Sequence, residues 1–67
     1  MDANTRGRQL GSQFTMTVAN RLQICSVGWE LFLKAVEKKE LTQSDAEAFG
    51  TAFLQAASDS SGANVAP

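Results

Sequence analysis

Apolar residues recur at intervals of mostly three and four from Phe14 to Val36, the spacing of one face of an α-helix. Phe14, Val18, Leu22, Cys25, Trp29, Phe32, Leu33 and Val36 gather on one side of such a helix. The pattern predicts a single long helix over about 13–39, which at 1.5 Å per residue would be roughly 40 Å long. Lys38 and Lys39 then stand where a helix C-terminus favours positive charge. Gly28 falls inside the run and costs about 1 kcal/mol relative to alanine in a helix interior. The apolar phase continues across it without a slip, so we read it as a point of close helix approach, not as a break.

Leu41-Thr42-Gln43-Ser44-Asp45 is the clearest local signal in the chain. Thr42 can cap a helix, Asp45 takes the third helical position, and Leu41 can act as the hydrophobic staple. A shorter helix is therefore predicted over about 43–57, burying Ala46, Phe49, Gly50, Phe53, Ala56 and Ala57. The link between the two helices is only a few residues, which predicts an antiparallel helical hairpin. The fold class is all-α, with the hairpin spanning 12–58 and Ser12 as a candidate first N-cap. Residues 1–11 are polar, carry Gly7 and Gly11, and read as a flexible arm. Residues 59–67 read as a flexible tail, because Ser58-Asp59-Ser60-Ser61-Gly62 stops a helix and adds nothing to a core.

Length turns this hairpin into an argument for association. In 67 residues, apolar burial at about 25 cal/mol/Å² roughly offsets an ordering entropy of about 1.5 kcal/mol per residue. Small domains escape that balance through disulfides, a metal, very good packing or oligomerisation. One cysteine closes no intrachain disulfide, and a chain without histidine offers a poor set of zinc ligands. Packing and association remain. Met16, Ile24, Val27 and Leu31 fall on the opposite side of the long helix from the main seam, and a hairpin partner covers only one side. These four are the expected partner-binding surface. Phe14, Val18, Leu22, Cys25, Trp29, Phe32, Val36, Phe49 and Phe53 are the expected core or dimer interface, with two hairpins pairing into a dimeric four-helix bundle.

Candidate chemistry adds little. Cys25 has no histidine to activate it, so an inert thiol is expected and no catalytic residue is assigned. Glu37, Glu40, Asp45 and Glu47 cluster at the inter-helix link beside Lys38 and Lys39, which reads as a solvated, salt-bridged corner. Arg6, Arg8 and Arg21 make a weak phosphate-binding signal, and a net charge of −1 gives no field that draws nucleic acid. No cofactor or metal is expected. The apolar-rich window from Phe14 to Val36 contains Asn20, Arg21, Gln23, Glu30 and Lys34, too many polar groups to span a bilayer. With no export signal and a lone thiol, a cytoplasmic location is expected.

No residue pattern names a family. The expected function is a non-catalytic protein–protein interaction module, not an enzyme. It would be a small adaptor or inhibitor that binds a larger protein through the long helix, in the manner of many phage and mobile-element proteins. Two other readings are kept: a structural subunit of a virion or other large assembly, and a nucleic-acid modulator acting through the N-terminal arginines.

Overall fold

The chain forms three α-helices, α1 (Ala3–Gly11), α2 (Arg21–Glu37) and α3 (Ala46–Val65), with a 3-10 turn at Gln43–Asp45 leading into α3. The computed structural model describes the backbone of residues 2–65 and the side chains of residues 2–59. Among these residues there is no strand.

The expected hairpin is present, made by α2 and α3. The Phe32 ring lies tilted against Phe49, with ring centroids 5.4 Å apart, while Gly28 lies against Phe53, so the two helices run antiparallel. The turn between them carries both expected devices. The amide of Thr42 donates to Asp45 Oδ2 at 2.9 Å, and the amide of Asp45 donates to the Thr42 carbonyl at 3.0 Å. Leu41 is buried beside this cap. Upstream, α2 ends in a Schellman motif: the Glu40 amide donates to the Ala35 carbonyl and the Lys39 amide to that of Val36, each at 2.9 Å. Lys39 takes the left-handed position that motif demands, at φ 64°.

α2 passes through Gly28 unbroken. A Cβ there would sit 2.7 Å from the Phe53 ring, and the ring is buried, so glycine is what lets α2 and α3 approach.

Three expectations are corrected. Residues 1–11 are not an arm. Asp2 caps α1 by accepting from the Thr5 amide at 2.7 Å, and Ser12, expected to open a helix, closes this one instead. α1 lies parallel to α3, because Gly7 meets Phe49 and Ala52 while Gly11 meets Phe53. Ala3, Gly7 and Gly11, spaced by four, bring the two backbones together.

The long helix begins at Arg21 and not at Gln13. Asn20 explains the delay: its side chain accepts from the Thr17 amide at 2.7 Å and donates to the Thr15 carbonyl at 3.0 Å. These local bonds compete with helical ones, and the β-branched Thr15, Thr17 and Val18 favour the alternative. The connector 12–20 instead crosses α3, where the Met16 amide donates to the Ala57 carbonyl at 3.3 Å.

Beyond Ala57, α3 continues to Val65 where a tail was expected. Gln55 donates to Asp59 at 3.0 Å across one turn, and serine has helix propensity enough to sustain the run. The part of the expected tail at residues 66–67 lies outside the described residues.

The core is built on α3. Phe49, Phe53, Ala56 and Ala57 are buried as expected, joined by Ala52, Ile24, Phe32, Ala35, Leu41 and Ala3. Phe14, Phe53, Phe49, Phe32 and Trp29 form a ladder of rings with neighbouring centroids 5.4–6.0 Å apart. Among the described residues, no second layer covers the outer side of α2, where Leu22 and Trp29 stay exposed.

Candidate functional site

The uncovered side of α2 carries Leu22, Ser26, Trp29 and Leu33, all exposed. At 100° per residue they lie within about 60° of one another on the helix. Leu22 is 86% exposed, Trp29 56% and Leu33 46%, and Val18, in the turn just before α2, is 97% exposed. Clustered large apolar groups left in water mark a docking surface more often than scattered ones do.

Beside the stripe, an open apolar groove of about 100 Å³ runs between α2 and α3. Cys25, Trp29 and Phe32 line it from α2; Ala46, Gly50 and Leu54 line it from α3. Its cause is local. Gly28 draws α2 onto Phe53, whereas Gly50 has no atom within 4 Å of where a Cβ would stand. The absent side chain at Gly50 leaves its part of the groove open.

The structure redistributes the expected site residues. Ile24 is buried in the core and is withdrawn from the partner-binding set. Met16, Val27 and Leu31 are half-buried, and Met16 and Leu31 pack against the core, so the four do not form an open surface. Of the core or interface set, Phe32, Phe49 and Phe53 are buried, and Phe14, Cys25 and Val36 are half-buried. Val18, Leu22, Trp29 and Leu33 do not belong to the core. The expected seam is split: Phe32 joins the core while Val18, Leu22, Trp29 and Leu33 point to solvent. Sequence reasoning missed the role of Gly50, since a glycine in a helix does not announce which side it empties.

Several charged groups are committed to the fold. Arg6 pairs with Glu40 at 2.9 Å, tying α1 to the α2–α3 turn, and Arg8 donates to Asn4 at 2.9 Å. Glu40 therefore finds its partner on α1 and not among the neighbouring lysines. Asp2 lies below its ordinary carboxylate pKa because the Thr5 backbone amide, and then the Thr5 hydroxyl, donate to the charged form.

Among the described residues, no three His, Cys, Asp or Glu side chains stand close enough to hold a metal ion. No described helix is long and apolar enough to cross a membrane. What the arrangement offers chemically is an apolar face with a shallow cleft beside it. No family model, curated protein or solved structure matches this chain.

Proposed function

We propose that this protein is a non-catalytic protein–protein interaction module, a small adaptor or inhibitor that engages its target through the outer stripe of α2 and the adjoining groove. One observation carries the reading: Leu22, Trp29 and Leu33 share a stripe and remain exposed while the same helix buries Ile24, Gly28, Phe32 and Ala35. Burying what remains exposed on those three side chains is worth about 3–6 kcal/mol, at roughly 1.5–3 kcal/mol for a whole one. That is a large reserve for a chain of 67 residues. Trp29, an aromatic anchor at the groove edge, is the kind of residue on which binding energy concentrates.

The test is paired affinity purification with wild type and the double variant Leu22→Glu/Leu33→Glu as baits, with Lys39→Gly, outside the stripe and the groove, as a folded control. The reading expects a protein retained by wild type and by the control but lost with the double variant. Identical sets from all three baits would refute it.

A further inference from the structure

Resting on that interaction reading, we infer that the stripe and groove take a basic amphipathic helix of the partner protein. The charges around the face carry the choice. At 100° per residue, Glu37 and Glu30 stand about 60° and 80° from the line of Leu22, Trp29 and Leu33. Both are exposed and border the stripe along its outer edge. The cations on α2 and its cap lie further round: Arg21 about 100° away on the other side, Lys34 about 120° and Lys38 about 160°. On α3, Glu47 is exposed two turns before Leu54, which lines the groove, and it is the one charged residue from Ala46 to Ser58. None of these three carboxylates is ion-paired among the described residues. The chain has six basic and seven acidic residues, so an acidic rim reflects where the charges are placed and not an acidic composition.

The face itself asks for an apolar surface of matching shape. From Leu22 to Leu33 the stripe is about 16 Å long, roughly three turns of a helix. The groove beside it lies between two antiparallel helices. An amphipathic helix laid along this face sets its apolar side on Leu22, Trp29 and Leu33, with one side chain in the space that Gly50 leaves open. Its flanks then reach Glu30 and Glu37 on one edge and Glu47 on the other. Lysine or arginine there is attracted, whereas aspartate or glutamate is repelled, so the rim selects among amphipathic helices by charge. The same rim repels an anionic lipid surface or a nucleic-acid backbone.

The probes are two synthetic peptides of about 18 residues, five helical turns, with leucine along one face and either lysine or glutamate along its flanks. Neither contains tryptophan, so emission from Trp29, the single tryptophan of the chain, reports cover of the stripe. The lysine peptide should move that emission to shorter wavelength and bind about tenfold more tightly than the glutamate peptide at low salt, three exposed ion pairs each contributing a few-fold. The preference should shrink at high salt and in Glu30→Gln/Glu37→Gln/Glu47→Gln, which removes the charges and keeps the side-chain sizes. Equal affinities for the two peptides, or a preference unchanged in the triple variant, overturn the basic partner and leave the interaction surface standing. No shift with either peptide overturns the helical partner, as does an equal shift produced by phosphatidylserine vesicles. A lysine peptide that binds Leu22→Gln/Leu33→Gln as tightly as wild type, with unchanged circular dichroism, overturns the surface as well.

Discussion

Alanine at Gly7 and alanine at Gly50 should move stability in opposite directions, although both replace a glycine in a helix. Each substitution gains about 1 kcal/mol of helix propensity. At Gly50 nothing opposes the gain, since no atom lies within 4 Å of the new Cβ. At Gly7 the Cβ would stand 2.5 Å from the Phe49 carbonyl oxygen and 3.1 Å from the Ala52 Cβ. The nearer obstacle is backbone, so α1 must retreat along its whole length. Overpacking of this kind costs about 1–3 kcal/mol, and withdrawal of α1 also uncovers Ala52 and Phe53. We expect Gly7→Ala to lose about 1–2 kcal/mol net and Gly50→Ala to gain up to about 1 kcal/mol. At roughly 4–8 °C per kcal/mol for a domain this small, the two melting temperatures should fall on either side of wild type. Thermal unfolding followed by far-UV circular dichroism reads the difference. A Gly7→Ala protein as stable as Gly50→Ala would refute the parallel, glycine-mediated docking of α1 on α3.

Four further outcomes follow from the same contacts. Lys39→Gly should raise stability by about 1 kcal/mol, because glycine takes the left-handed position without the Cβ penalty; denaturant titration against Lys39→Ala checks it. Phe53→Ala should cost about 3–5 kcal/mol, enough to unfold most of the chain and erase its cooperative melt, since the ring touches Phe14, Phe49 and Gly28. Arg6→Ala should cost under about 1 kcal/mol, its pair with Glu40 being partly exposed, with the difference shrinking in high salt. Asp2 has a depressed folded-state pKa, so its contribution is present above the ordinary value of 3.8 and is lost as pH falls through that range. Stability measured against pH should therefore decline less steeply there in Asp2→Asn, which keeps a capping oxygen without the charge.

The hairpin was legible because its signals are chemical and local. Thr42 and Asp45 specify a helix start in four residues, and Phe49 and Phe53 leave α3 one choice of buried side. α1 was not legible for the opposite reason. Its buried line is Ala3, Gly7 and Gly11, which carries almost no hydrophobicity and poor helix propensity, so hydropathy reads it as a polar arm. The four-residue spacing of small residues was its one signal. On α2 the error was one of phase. Burial follows backbone proximity at Gly28 and Ala35, with Ile24 and Phe32 beside them, while Leu22, Trp29 and Leu33 dominate the apolar count from outside. A seam that belongs to an interface and one that belongs to a core have the same period. Thr15, Thr17 and Asn20 held the signal that shortened α2, in side chains able to replace helical hydrogen bonds.

The central claim is that the outer face of α2 exists to be covered. Affinity purification with wild type and Leu22→Glu/Leu33→Glu as baits, matched for helical circular dichroism, tests it most directly. The account predicts a protein that wild type retains and the double variant loses. The same proteins on both baits would contradict it.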